Sequence, residues 1–168
     1  MNATELREKQ APFKNKYKTD PTSAMLTLRA AGTLGADVTC RLTFSVPPQN
    51  AGLHPQAGGD GATACSAEML LHALVGCAGV TLGAVATAME IPIRGGTITA
   101  EGDVDFRGTL GVSRDVTVGF QEIRLTFDLD TDATPEKVRK LIELTERYCV
   151  VYQTLKNSPR LIGRENHL

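Results

Sequence analysis

The chain has 168 residues, 18 of them basic and 19 acidic, for a net charge of −1. That length suits one ordinary domain, and the balanced charge gives no global basic field for nucleic acid. The four cysteines, Cys40, Cys65, Cys77 and Cys149, form no C-x-x-C pair, and the histidines at 54, 72 and 167 are scattered, so no metal or resident cofactor is expected.

The first nine residues contain no apolar run, so no secretory signal is read and the chain is placed in the cytoplasm, where thiols stay reduced. Lys9, Lys14, Lys16 and Lys18 lie near Pro12 and Pro21. Residues 1–22 therefore read as a solvated N-terminal arm, with residues 23–168 as the domain. A first strand is predicted over 24–30, with Leu26, Leu28 and Ala30 on one face. The two glycines in 32–37 mark a turn. Val38, Cys40, Leu42, Phe44 and Val46 alternate with polar residues, the mark of a half-buried strand, and the two strands pair as an antiparallel hairpin. Residues 47–64 form a Pro/Gly-rich loop carrying His54, long enough to suggest a functional rim. His54 itself reads as a solvent-exposed side chain.

Residues 66–91 read as one helix, with Ser66 as N-cap, Glu68 in the first turn and Pro92 as its stop. No fixed charge lies between Glu68 and Glu90, so the helix is buried on all sides. Its length would also span a bilayer, but it is rich in Ala, Gly and Thr, contains His72 and has no flanking Lys or Arg, so a core helix is preferred. Cys77 sits at its centre, and Cys65 immediately precedes it, where a helix start lowers a thiol pKa. His72 reads as a neutral buried imidazole bonded to a backbone carbonyl. Beyond Pro92 a second β segment follows, with strands over 98–106, 116–120 and 123–129 and a turn over 108–114. Thr134 caps a final amphipathic helix from Pro135 to about residue 156, whose inner face carries Cys149. Hairpins with segregated helices make an α+β domain.

The Glu-Met-Leu-Leu-His-Ala-Leu-Val-Gly-Cys run ending at Cys77, the β-rich segment after it and the Thr-Glu-Arg-Tyr-Cys-Val-Val-Tyr run around Cys149 together resemble the OsmC/Ohr family of thiol-dependent peroxidases, from residue 24 to 159. The resemblance implies antiparallel sheets around two central helices in an intertwined homodimer. It implies that Cys77 attacks an organic hydroperoxide, that Cys149 resolves the sulfenic acid as a disulfide, and that a dithiol reductant (a lipoyl protein or a thioredoxin-like protein) reopens it. No membrane or nucleic-acid partner is implied. The family's assisting Glu falls on the position of Ala67, one residue before Glu68, and Glu68 is taken for the role. The assisting Arg is assigned to Arg29, with Arg41 behind it. Two alternatives stay open: Cys40 or Cys65 as the resolving thiol, and a non-catalytic dimer of the same fold that binds a small apolar ligand.

Overall fold

The computed structural model describes residues 3–35, 39–44 and 50–165. In chain order these form α1 (Ala3–Thr19), β1 (Met25–Gly35), β2 (Thr39–Thr43), the two-residue strands β3 (Ala51–Gly52) and β4 (Ala64–Cys65), α2 (Ser66–Ala88), β5 (Gly95–Asp105), the single turn α3 (Phe106–Thr109), β6 (Phe120–Asp130), α4 (Pro135–Tyr148) and α5 (Val150–Lys156). The main sheet is antiparallel throughout, in the order β2-β1-β5-β6. This is the expected α+β arrangement, hairpin included.

Alternation decides which sheet face meets α2. Leu28 and Ala30 of β1 and Ile98, Ala100 and Val104 of β5 are buried on that face, with Ile123, Leu125 and Phe127 of β6 packed beside them. From α2, Leu71, Leu74, Val75 and Ala78 fill the space above. The opposite sheet face is polar, with Thr27, Asp103 and Arg124 hydrogen-bonded across three strands.

Three expectations shift, and a fourth falls outside the described residues. β1 continues through Gly32 to Gly35, because residues 31–35 pair with β2. Gly32 is there for close approach rather than for a turn: a Cβ on it would stand 2.9 Å from Val75 Cγ1 and 2.8 Å from Cys40 Sγ. Val38 and Val46, expected at the ends of β2, lie outside the described residues. Residues 116–119 are not a strand, and β6 begins only at Phe120; the chain leaves β5 through the α3 turn, where the Asp105 carboxylate accepts from the Arg107 backbone N–H at 2.9 Å. Residues 3–19 are a packed helix and not a solvated arm: Tyr17 is only 1% exposed, clusters with Phe106 and Leu110, and its hydroxyl donates to the Gln56 carbonyl at 2.9 Å.

Both ends of the central helix also differ. Cys65, extended and paired in β4, is the N-cap in place of Ser66, and no side chain caps the helix. Met89 closes it, after which Glu90 takes a positive φ of 53°. By length and composition α2 could cross a membrane, but its inner face is the middle of the core. Its outer face is apolar too, with Leu70 and Val80 39% and 45% exposed. The final helix is interrupted. Cys149 takes an extended conformation (φ −70°, ψ 111°) and separates α4 from α5.

Candidate active site

The break at Cys149 builds the site. Its N–H donates to the Thr145 carbonyl at 2.9 Å and ends α4, and its own Sγ accepts from the Tyr152 N–H at 3.4 Å and starts α5. The extended link turns the first N–H groups of α5 toward α2. Those of Val151 and Val150, with the Cys149 thiol and the Thr81 hydroxyl, favour the charged form of the Cys77 sulfur. Thr81 lies four residues after Cys77, one turn on along the same helix face.

Two opposing influences set the Cys77 thiol. Burial raises its pKa and is the largest single effect. The Val151 and Val150 amides, the Cys149 thiol and the Thr81 hydroxyl together outweigh burial, and the pKa lies below that of an ordinary cysteine. Cys149 goes the other way. It is fully buried, and burial, with the Cys77 sulfur beside it, pushes its thiol up to about 11 against the Tyr152 N–H. One sulfur is thus disposed to be a thiolate, and its neighbour holds a proton to donate.

The chain therefore brings Cys77 and Cys149 together, and it does not bring Glu68 or Arg29 to them. Glu68 is nine residues from Cys77, about 14 Å along the helix, and its charge is felt by His54 instead. Arg29 points to the polar sheet face, 68% exposed, with Nε 4.0 Å from Glu101 Oε1. Arg41, paired in register with Thr33, is likewise exposed. The thiolate is supported by backbone amides and a hydroxyl rather than by an arginine of the same chain.

The remaining candidates are structural. His72 is 6% exposed, its Nδ1 2.8 Å from the Glu68 carbonyl and its Nε2 2.8 Å from that of Thr43, with Phe44 stacked on the ring at 4.1 Å. It ties β2 to α2, as a buried carbonyl-bonded histidine should. Cys40 packs against Gly79, and burial raises its thiol pKa. Cys65 is buried at the start of α2, about 18 Å along the helix axis from Cys77. Among the described residues no group of His, Cys, Asp and Glu converges as a metal site. Sequence reasoning missed Thr81, Val150 and Val151. Thr81 was within reach of a simple i, i+4 argument from Cys77. The two amides were not, because nothing in the periodicity marks the break that aims them.

The sequence matches the model of the OsmC-like protein family over residues 59–162. No functionally curated protein matches it. Among solved structures it is similar to an OsmC-like hydroperoxide resistance protein from Jannaschia sp. CCS1, with a TM-score of 0.65 and 14% identity over 86% of this chain and 95% of that one. It is also similar to an OsmC-like protein from Mycoplasma pneumoniae, with a TM-score of 0.54 and 17% identity over 80% of this chain and 86% of that one.

Proposed function

This chain belongs to the OsmC-like family, and from that membership and its thiol pair we propose that it is a thiol-dependent peroxidase reducing organic hydroperoxides. The observation that carries the reading is the pairing of the Cys77 sulfur, whose thiolate the Val151 and Val150 amides and the Thr81 hydroxyl favour, with the buried thiol of Cys149. The similarity in fold to a hydroperoxide resistance protein supports it.

In the first step the Cys77 thiolate attacks the terminal oxygen of the hydroperoxide. An S–O bond forms, the O–O bond breaks, the alkoxide leaves and takes a proton as the alcohol, and Cys77 becomes a sulfenic acid. The amides that hold the thiolate also hold the anionic character at that position as the oxygen transfers. In the second step the Cys149 sulfur displaces water from the sulfenic acid, its proton leaving with the hydroxyl group, and a Cys77–Cys149 disulfide remains. A dithiol reductant, a lipoyl or thioredoxin-like protein, returns both thiols, which suits a cytoplasmic location. Apolar neighbours of the pair, Leu74, Val151 and Leu155, favour hydrocarbon-bearing peroxides over hydrogen peroxide.

The working form in this reading is a homodimer, since the exposed stripe of Leu70, Ala73, Val80 and Ala84 along α2 is apolar. A partner subunit across that stripe could supply the arginine that the Cys77 site lacks within its own chain.

The test is peptide mapping after one equivalent of cumene hydroperoxide. A Cys77–Cys149 disulfide is expected in the wild type. Cys77→Ser is expected to leave every thiol reduced, and Cys149→Ser to accumulate a dimedone-trappable sulfenic acid at Cys77. A wild-type protein whose four cysteines stay reduced while the peroxide persists would refute the assignment.

A further inference from the structure

A cavity of about 220 Å³ lies at the other end of the buried half of α2, ten residues or about 15 Å from Cys77. Leu28, Val104, Phe106 and Phe120 form its walls, and Ser66 and Ala67 of the first turn of α2 close one side. Leu53 and Val118 also line it and are 40% and 66% exposed. Apolar side chains left in water around an apolar cavity are the usual surroundings of a small-molecule site.

The polar groups inside are few and fixed. His54 lines the cavity with its ring stacked on Phe106 at 5.5 Å. Its Nδ1 accepts from the Gln56 N–H at 3.1 Å, so the ring proton sits on Nε2 and is available to donate. Ser66 and Ala67, the first residues of α2, line the same space, and no side chain caps the helix. Burial lowers the His54 pKa against the nearby Glu68 carboxylate, so the ring is a neutral donor. That carboxylate also disfavours an anionic guest. The wall is held from behind: the Tyr17 hydroxyl donates to the Gln56 carbonyl and Gln10 Nε2 to the Ala57 carbonyl at 3.3 Å, so α1 pins the His54 turn in place. Both α1 and His54 lie outside the residues matched by the family model.

We propose that this cavity binds a small neutral molecule with an apolar body and one acceptor oxygen, which takes the His54 Nε2–H, at a site separate from the Cys77–Cys149 pair. At roughly 25–30 Å³ for each non-hydrogen atom, the volume holds a guest of about seven to nine such atoms. A ring or short branched chain bearing a carbonyl fits both the size and the donor.

Titration of the full-length ¹⁵N-labelled protein with acetophenone tests this. Saturable shifts are expected at the amides of Ala57, Ala67 and Val104 and not at Ile93 or Gly95, with the rate of Cys77 alkylation unchanged. Ethylbenzene, which lacks the oxygen, is expected to bind about 5- to 10-fold more weakly, the worth of one neutral hydrogen bond. His54→Phe keeps the aromatic stack and is expected to abolish that preference. Non-saturable shifts, equal affinity for the two probes, or slowed alkylation of Cys77 would each overturn the proposal. Failure of the peroxidase assay would leave these readouts untouched.

Discussion

At the residue scale the site turns on what replaces a cation beside Cys77. Each hydrogen bond donated to a thiolate stabilises the charged form only, so removing one must raise the pKa. Thr81→Val keeps the shape and removes the hydroxyl. A hydrogen bond to a charged group contributes about 1.5–3 kcal/mol, and one pH unit corresponds to about 1.4 kcal/mol. We expect the midpoint of Cys77 alkylation by iodoacetamide to move up by about one to two units, with the rate at neutral pH reduced in proportion to the thiolate fraction. In the wild type, alkylation of Cys77 should level off below the pH of an ordinary thiol, whereas Cys149 should still be gaining reactivity as the pH approaches about 11. Coincident profiles for the two cysteines would contradict the asymmetry. The sequence made both cysteines legible, because each falls on the inward stripe of a predicted helix. Arg29 and Glu68 were legible only as residue types. Position within a strand or helix turn decides their direction, and a displacement of one residue on a helix rotates a side chain by about 100°.

At the element scale, small residues let α2 approach the sheet, and two glycines of that helix separate the causes. A Cβ on Gly79 would stand 2.6 Å from Cys40 Sγ and 2.7 Å from Cys40 Cβ, whereas on Gly76 the nearest atom would be Leu42 Cδ1 at 3.5 Å. Gly→Ala in a helix gains roughly 1 kcal/mol of propensity, and overpacking costs about 1–3 kcal/mol. Gly79→Ala is therefore expected to lower stability by about 1 kcal/mol in urea unfolding, and Gly76→Ala to be neutral or stabilising. The outer face of the same sheet carries an acid-sensitive clasp. Hydrogen bonds from Arg124 and Thr27 hold Asp103 down at about 2, below its ordinary 3.8, and link β6, β5 and β1. A depressed carboxylate stabilises the fold above its unfolded pKa, and that stability is lost as the pH falls from about 4 to about 2. Thermal melts of Asp103→Asn should accordingly show a weaker decline across that window than the wild type. The strands were readable from their alternation. The break between α4 and α5 was not, because Tyr148, Cys149 and Tyr152 keep a helical spacing across it and only the extended backbone of Cys149, with its Sγ accepting from the Tyr152 N–H, marks it.

At the scale of the whole molecule, α2 poses the remaining question. A helix without a polar face was read as buried on all sides, and one chain buries only the sides that meet the sheet and the α4–α5 pair. Leu70 and Val80 remain 39% and 45% exposed, with Ala73 and Ala84 in the same stripe. Covering that stripe with the same stripe of a second copy would satisfy both molecules at once, as a two-fold axis requires. The small residues between the larger ones allow the two helices to approach closely. An aspartate at the centre of such a contact would have to lose its hydration without a partner, at a cost of several kcal/mol. Val80→Asp adds little strain to the isolated chain, because the side chain already faces outward. By sedimentation at micromolar concentration the wild type should be dimeric and Val80→Asp monomeric, with the dissociation constant raised at least ~100-fold for a loss of about 3 kcal/mol. If the partner also completes the Cys77 environment, the monomeric variant should keep its fold by circular dichroism yet show a higher Cys77 pKa and slower peroxide reduction. A wild type that sediments as a monomer would place the covering of α2 elsewhere.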